Sequence, residues 1–443
     1  MIDTGSTAWV LVSAALVMLM TPGLALFYGG MVRSRSILNV MMLSFICLAV
    51  VGVVWVLYGY SLSFGDDAFG GLVGNLDHAG MRDLATVTVG PPRHRIPLLA
   101  FAAFQLMFAV ITVALLAGAV AERTRFWAWI VFVTAWVTIV YFPIAHWVFS
   151  FDGFTAPGAA GGWIANRLHA LDFAGGTAVE INSGAAALAL ALVVGRRHDW
   201  PHRAVRPHNL PFVMFGAGLL WFGWFGFNAG SSLGATSLAA TAFINTMTAG
   251  ATAVIGWLLV EQVRDGKPTT LGAASGAVAG LVAITPACAY VEPLGAAAIG
   301  AVAGAVAGAV CALAVALKYR YGFDDSLDVV AVHGVGGLVG TVLIGLFATR
   351  SVYTGGADGL LYGGGLDQLW RQCVAVVAVL GYSLCLTAVI AWAIHKAMGF
   401  RVAPEAEYDG IDDAEHAESA YDLGAYQGAR TRLGAHSLPG RDA

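Results

Sequence analysis

Long apolar stretches dominate the chain, and short polar segments separate them. Each stretch has about 20 residues, the length that an α-helix needs to cross a bilayer. Apolar and polar residues do not alternate at a period of two, so a barrel of transmembrane strands is not expected. The pattern predicts an all-α polytopic membrane protein with eleven transmembrane helices, at Ala8–Gly30, Ile37–Leu62, Pro97–Val120, Phe126–Phe149, Gly175–Gly195, Leu210–Gly230, Leu238–Glu261, Thr269–Pro286, Leu294–Leu317, Asp328–Ala348 and Gln368–Lys396.

Composition supports a membrane protein. Of the 443 residues, 58% are hydrophobic and 11% are charged, whereas soluble proteins average about 25% charged residues. The 56 glycines suit helices whose backbones approach closely inside a membrane. The five cysteines are scattered through apolar segments without metal-ligand spacing, and we interpret them as packing residues. No metal, cofactor or nucleic acid is expected.

The distribution of Lys and Arg predicts the orientation. If the N-terminus lies outside, the inner connections hold 14 basic residues and the outer connections hold six. Basic residues favour the cytoplasmic side. We therefore expect the N-terminus outside and, after eleven spans, the C-terminus inside. Residues 1–398 form the predicted transmembrane domain, and residues 399–443 form a predicted cytoplasmic regulatory tail.

The tail is acidic and has almost no apolar run. It is either a disordered solubilising end or a segment that docks under the helices or binds a regulator. Its acidic residues up to the middle of the segment are Glu405, Glu407, Asp409, Asp412, Asp413, Glu415, Glu418 and Asp422.

Two distant segments share a pattern. Asp172 is followed eight residues later by Glu180, and Asp325 is followed eight residues later by His333; each pair enters a helix rich in Gly and Ala. Five predicted spans separate the two segments, so they must have opposite orientations. This predicts an inverted repeat of five plus five spans with an eleventh added, an arrangement typical of transport folds.

Glu180 is the carboxylate that lies well inside a predicted span, whereas Glu122 and Glu261 fall at span ends, where we expect water to reach them. A carboxylate inside the bilayer must pair, stay protonated or face a wet cavity. His333 occupies the equivalent place in the other half and is the expected partner. The pair either fastens two helices together or lines a pore, where it hydrogen-bonds a small polar solute or relays protons.

Asp172 and two aromatic clusters each admit two interpretations. Asp172 caps its helix, or attracts a cation at the outer mouth, or does both. Phe104 and Phe108 lie on one helix face, and the second cluster runs from Trp221 to Ser231. Such rings either pack in the core or hold a small cation and close a narrow pore.

Seven stretches, in order along the chain, resemble those of ammonium transporters of the Amt/Mep/Rh family, on the Amt side. They are Pro22–Arg33, Ile111–Arg123, Asp172–Thr177, Arg206–Pro211, Gly223–Ser231, Thr285–Cys288 and Val332–Val335. The resemblance implies the eleven-span inverted repeat, assembled in the cell membrane as a homotrimer with one pore in each subunit.

The resemblance also implies residue roles. Phe104 flanks the outer region where ammonium is recruited. The implied roles are substrate recruitment for Phe108, Phe149, Ser231 and Trp224, a gate for Phe108 and Phe227, a vestibule acid for Asp172, and a pore pair with proton relay for Glu180 and His333.

Two positions depart from the family pattern. The tryptophan that usually completes the recruitment site is replaced by Phe149, with Trp147 and Trp163 nearby as alternatives. The first pore histidine is replaced by Glu180. Some members, notably fungal ones, resemble this chain in carrying Glu there, so the change is compatible with transport.

The implied function is ammonium uptake, with methylammonium as a further substrate. Ammonium would lose its proton near the outer mouth, ammonia would cross the pore, and the proton would follow, which makes uptake electrogenic. One alternative is electroneutral conduction of ammonia and carbon dioxide, as Rh-type members suggest. The other is an ammonium sensor that signals through its tail. An enzyme is not expected.

A signalling protein of the PII family is the implied partner. The basic loop Arg196–Arg206 and the tail form the expected docking surface. Within the tail, Tyr408–Asp413 and Ser419–Tyr421 resemble the family segment that contacts the inner face and couples to regulation.

Overall fold

The computed structural model describes residues 2–91, 94–198, 200 and 206–421, except for the side chains of 307–319. Long helices dominate these residues. In chain order they are α1 (Thr4–Met31), α2 (Ile37–Phe64), α3 (Leu98–Gly118), α4 (Phe126–Phe149), α5 (Gly176–Val194), α6 (Leu210–Gly230), α7 (Ser237–Asp265), α8 (Thr270–Ile284), α9 (Pro293–Tyr321), α10 (Val330–Phe347) and α11 (Asp367–Met398).

Within the described residues, nine of these helices are long and apolar enough to cross a membrane. The other two, α8 and α9, are apolar over the shorter stretches Thr270–Ile284 and Pro293–Val306. Both lie where the sequence predicts spans eight and nine. The helical membrane architecture is therefore confirmed, whereas the count of eleven spans and the orientation stay predictions.

Polar residues at the helix starts explain several boundaries. The Asp3 carboxylate accepts a hydrogen bond from the Ser6 backbone N–H at 3.2 Å, before α1. Asn209 accepts from the backbone N–H of Phe212 at 3.0 Å, before α6. Side chains that accept these N–H groups satisfy donors that have no partner inside the helix.

Other elements are short. An antiparallel pair, β1 (Thr88–Val89) and β2 (Ile96–Pro97), lies between α2 and α3, with Thr88 opposite Pro97. Two short helices, α12 (Pro404–Asp409) and α13 (Ile411–His416), follow α11. Single turns occur at Ala79–Met81, Ile164–Leu168 and Leu360–Tyr362.

The first five and the next five long helices contact each other at equivalent points. The helices that open the two groups, α1 and α6, pack closely. A Cβ atom added to Gly216 of α6 would lie only 2.7 Å from the carbonyl oxygen of Gly23 in α1. In α5 and α10, a Cβ added to Gly184 would lie 2.2 Å from the Gly334 Cα atom. Small residues allow helix backbones to approach this closely in a membrane.

Large apolar side chains cover the outside of the helices. Val263, Leu294 and Val377 are 88%, 82% and 71% exposed. A soluble protein rarely exposes apolar side chains in such number, whereas a lipid-facing surface requires them. The exposed residues thus agree with the hydropathy of the helices.

The tail docks on the helices up to residue 421. Asp412 accepts hydrogen bonds from the backbone N–H groups of Leu38 and Asn39 at 3.0 and 2.8 Å, which caps α2. Glu415 accepts from the Phe126 N–H at 2.8 Å, at the start of α4. For this stretch the docking interpretation is correct, and the interpretation as a disordered end is wrong because these carboxylates complete two helix starts. Residues 422–443 lie outside the described residues.

Candidate functional site

Three cavities lie along the candidate pathway, and we name them by the predicted orientation. The outer cavity has a volume of about 780 Å³ and is lined in part by Phe149, Asp172 and Ser231. The central cavity has a volume of about 10 Å³ and is lined in part by Phe227 and His333. The inner cavity has a volume of about 500 Å³ and also reaches His333.

Two stacked phenylalanine rings lie between the outer and central cavities. The ring centres of Phe108 on α3 and Phe227 on α6 are 4.1 Å apart, and their planes differ by 16°. Both side chains are buried. Phe227 lines the central cavity, whereas Ser231, one helical turn later, lines the outer cavity. The two rings thus have the geometry of a closed gate.

Phe149 is the aromatic residue beside this gate on the outer side. It lines the outer cavity, and its ring lies 6.2 Å from that of Phe108 at 82°. Trp147 packs elsewhere: its Nε1–H donates to the Leu72 carbonyl at 2.7 Å, and its ring lies 5.8 Å from that of Trp163. Among the three candidates for the missing wall, the geometry favours Phe149.

Ser231 and Asp172 supply polar groups to the outer cavity. The Ser231 hydroxyl donates to the Phe227 carbonyl at 2.8 Å, which leaves its oxygen lone pairs as acceptors. The Asp172 carboxylate accepts from the backbone N–H groups of Gly175, Gly176 and Thr177, each at 2.7 Å. Asp172 therefore caps α5, as one interpretation expects, and also lines the cavity.

Glu180 and His333 are in direct contact. The Glu180 Oε2 atom lies 2.7 Å from the His333 Nδ1 atom, and both side chains are buried. One proton lies between the two atoms, because either the imidazole N–H donates to a carboxylate or a carboxylic acid donates to the imidazole. Both residues also line the central cavity. The expected pairing across the two halves is therefore present.

Local helix geometry brings this pair together. Glu180 lies in a π-helical turn, Gly176–Ile181, and His333 lies in another, Val330–Val335. The close approach at Gly184 then draws α5 and α10 together. Such turns often occur at functional sites, and hydropathy patterns carry no signal for them.

Phe104 and Trp224 both lie beside the two stacked rings, and Trp224 lies on the side of the central cavity. The Trp224 side chain lines the central cavity rather than the outer one, and its Nε1–H donates to the Thr285 hydroxyl at 2.8 Å. Phe104 is fully buried, with its ring 4.9 Å from that of Phe108. Thr285 was missed as a site residue, although it opens one of the stretches that resemble the family.

An ionic cluster joins the segments that follow α1, α3 and α5 to the segment that precedes α10. Glu122 accepts from Arg33 Nε and from Arg197 Nη1, each at 2.9 Å. Arg197 also donates to both oxygens of Asp324, at 2.8 and 2.9 Å. The expectation that water reaches Glu122 is wrong: its side chain is fully buried because two guanidinium groups replace the water.

This cluster shifts the acidity of its members. Burial alone would raise the pKa of Glu122, but the Arg197 and Arg33 guanidiniums outweigh it and hold the pKa below its ordinary value. Burial likewise acts to raise the pKa of Asp324, and its bonds to Arg197 lower the pKa overall. Both carboxylates are therefore ionised at neutral pH.

Comparison with known proteins decides the family. The sequence model of the Ammonium Transporter Family matches residues 8–421. The chain belongs to this family. The ammonium transporter of Mycobacterium tuberculosis is 56% identical over 446 residues, which cover 96% of this chain and 92% of the relative. This family is one of transporters rather than enzymes, and the apolar helices make this member a multi-pass membrane protein.

Solved structures in the same family share its fold. The structure of Candida albicans Mep2 is 34% identical, with a TM-score of 0.83, and covers 95% of this chain and 94% of that one. A structure titled Sensor Amt Protein is 30% identical, also with a TM-score of 0.83, and covers 93% of this chain and 98% of that one. This ammonium transporter family member therefore resembles both transporters and a protein described as a sensor.

Proposed function

We propose that this protein is an electrogenic ammonium transporter that recruits NH4+ in the outer cavity and passes ammonia and the proton inward separately. The observation that carries the proposal is the Glu180–His333 pair at 2.7 Å, placed in the narrow central cavity behind two stacked rings.

Recruitment uses aromatic faces and acceptor oxygens. The Phe108 and Phe149 rings offer π faces that attract a small cation by about 0.5–2 kcal/mol. The Ser231 oxygen accepts one N–H of ammonium, and the Asp172 charge lowers the energy of a cation in the cavity. Ammonium and potassium have similar charge and size, so these contacts alone discriminate between them weakly.

The central cavity supplies the discrimination. Its volume of about 10 Å³ is close to the least that holds one water-sized molecule. A cation that enters this cavity would lose its hydrating water molecules and find few polar groups to replace them, which is costly in free energy. Ammonium avoids this cost by leaving its proton near Asp172 and crossing as ammonia, an option that potassium lacks.

The proton follows through Glu180 and His333. A carboxylate beside an imidazole exchanges a shared proton readily, whereas two neutral imidazoles hold no net charge to move. The replacement of the first pore histidine by Glu180 therefore favours a relay. Net uptake moves one positive charge for each ammonia.

The resemblance supplies the remaining parts of the proposal. They are eleven spans with the N-terminus outside and the C-terminus inside, a homotrimer in the cell membrane, and a PII-family protein that docks on the inner face. The docked tail and the loop Arg196–Arg206 would form the docking surface on that face. Residues 199 and 201–205 of this loop lie outside the described residues. A pull-down with the PII protein of the same cell tests this, and a lack of nucleotide-sensitive binding would contradict it.

Two other functions make different predictions. An electroneutral channel for ammonia and carbon dioxide gives permeability without an ammonium-evoked current. A sensor, which the similarity to the Sensor Amt Protein favours, gives ligand-dependent partner binding with negligible flux.

Glu180→Gln tests the relay. Glutamine keeps the size and one acceptor of the side chain but cannot exchange the proton. We expect ammonium-evoked current on solid-supported membranes to fall more than ammonia permeability measured by stopped flow. Unchanged currents would overturn the relay.

A further inference from the structure

Helix α11 lies outside the two groups of five helices, yet its first turns contact the segment that carries Asp172. Gln372, on α11, is fully buried. Its Oε1 atom accepts from the Leu171 backbone N–H at 2.7 Å, and its Nε2 atom donates to the Leu171 carbonyl at 2.7 Å. One amide side chain thus pairs with both backbone polar groups of the residue before Asp172.

The same side chain reaches the second group of helices. Gln372 Nε2 also donates to the Thr341 carbonyl on α10 at 3.2 Å, eight residues beyond His333. Gln368 Nε2 donates to Gln372 Oε1 at 2.9 Å and fixes the orientation of the amide. All hydrogen-bonding positions of the Gln372 side chain are used, and such complete buried networks define one geometry.

The clamped segment has little structure of its own. It begins after the short helical turn Ile164–Leu168, and His169 has a φ of +54°. Asp172 is held downstream by the N–H groups of its own helix. Upstream, the backbone is held by α11: besides Gln372, Arg371 donates to the Leu168 carbonyl at 3.2 Å.

We propose that Gln372 is a positioning residue for ammonium recruitment, which holds the Asp172 carboxylate at the outer cavity and links that position to α10. The proposal rests on the proposed function. It also assigns a role to the helix that the inverted repeat leaves over, because α11 braces the outer mouth against both groups of helices.

The chemistry requires an amide at this position. Leu171 presents one donor and one acceptor, and only a side chain with both can satisfy them together. Gln372→Met keeps the approximate length and volume but leaves both backbone groups without their buried partner. Gln372→Glu keeps the length of the side chain and an acceptor but leaves at most one donor, the O–H of a protonated carboxyl group, so the Leu171 and Thr341 carbonyls cannot both keep their partner.

The test measures ammonium-evoked current against ammonium concentration for the full-length chain in proteoliposomes. We expect Gln372→Met to raise the half-saturating concentration about three- to tenfold, while the maximum current per folded protein stays within about twofold. Gln372→Glu is expected to raise it too, by a smaller factor, because an acceptor and one donor remain. A purely structural role would lower the amount of active protein without moving the half-saturating concentration.

Thr387→Val is the matched control. Thr387 is a buried residue of α11, 15 residues beyond Gln372, and its hydroxyl accepts from Trp136 Nε1 at 2.8 Å. We expect it to leave the half-saturating concentration unchanged. If both Gln372 variants behave like this control, the proposal is overturned; if Gln372→Met fails to fold, Gln372→Glu decides. An absence of current in the unaltered protein contradicts the proposed function instead.

Discussion

The two segments of the repeat have the same pattern and the same kind of capping acid, but different groups hold the backbone around that acid. The outer copy, residues 171–180, is held by amide groups, and its Asp172 lines a wide cavity. The inner copy, residues 324–333, is held by charges: Arg197 binds the Asp324 carboxylate, and Arg123 Nη2 donates to the Asp324 carbonyl. Asp325, the residue equivalent to Asp172, is 1% exposed and accepts from the Val330 backbone N–H of its own helix at 2.8 Å. Both copies therefore have a capping acid and differ in the contacts around it.

This difference separates two tasks. Neutral bonds hold the outer acid without placing a competing cation beside it, so its charge stays available to ammonium. The arginines beside the inner copy neutralise Asp324 and fasten the two groups of helices to each other. Changes in the inner copy should therefore alter stability first, whereas changes in the outer copy should alter ammonium affinity first.

The largest expected effect is on the ionic cluster. Glu122→Gln leaves the Arg33 and Arg197 guanidiniums without their shared carboxylate, and breaking a buried ion pair on one side costs about 3 kcal/mol. We expect a lower thermal unfolding temperature in detergent. Asp265→Asn is the control, because Asp265 pairs with Arg264 at an exposed position, where ion pairs contribute little. Equal effects of the two variants would contradict the account.

The same cluster predicts a pH dependence. The folded-state pKa values of Glu122 and Asp324 lie below their ordinary values, so their contribution to stability is present above about pH 4, the ordinary carboxyl pKa. It is lost as the pH falls through the lowered values. Unfolding measured between pH 7 and pH 3 should show a smaller acid-induced loss of stability in Glu122→Gln than in the unaltered protein.

The next effect concerns the outer copy. Asp172→Asn removes the charge and leaves one acceptor oxygen for several N–H donors, at a cost of roughly 2 kcal/mol. If the whole of this cost appears as weaker ammonium binding, the half-saturating ammonium concentration rises about 30-fold. Asp325→Asn, the equivalent change in the inner copy, should lower stability and leave that concentration within about twofold. A reversed outcome would show that the two copies do not divide the tasks in this way.

The smallest effect concerns the close approach of α5 and α10 just beyond the two copies. In Gly184→Ala the added Cβ would meet the Gly334 backbone at 2.2 Å, so α5 and α10 must separate, at a cost of about 1.5 kcal/mol. Gly218→Ala on α6 is the control, because a Cβ there meets no atom within 4 Å. We expect a lower unfolding temperature and a lower current for Gly184→Ala alone; a matching result for the control would contradict the close approach.

Hydropathy and spacing were sufficient to predict the helices, because a bilayer demands long apolar runs and tolerates few charges. The repeat of Asp and an ionisable residue predicted the contact between Glu180 and His333, since equivalent positions of an inverted repeat meet near its axis. The stacking of Phe108 on Phe227 agrees with the gate that the resemblance implied.

Other features were beyond the sequence. Trp224 lies in α6, and Ser231 directly follows its last residue. Residues seven apart in a helix share nearly the same face, so their depth along the helix relative to the gate decides that Trp224 lines the central cavity and Ser231 the outer one. Glu122 looked solvated because its arginine partners are about 90 and 75 residues away along the chain. Gln372 gave no signal, because a lone amide in a span resembles many structural ones.

The most direct test of the account is the current evoked by ammonium in proteoliposomes that contain the unaltered protein, compared with methylammonium and potassium. The account predicts a saturable inward current with ammonium, a current with methylammonium, and none with potassium, because potassium cannot release a proton at the gate. Ammonia permeability without any current, or a potassium current of similar size, would contradict it.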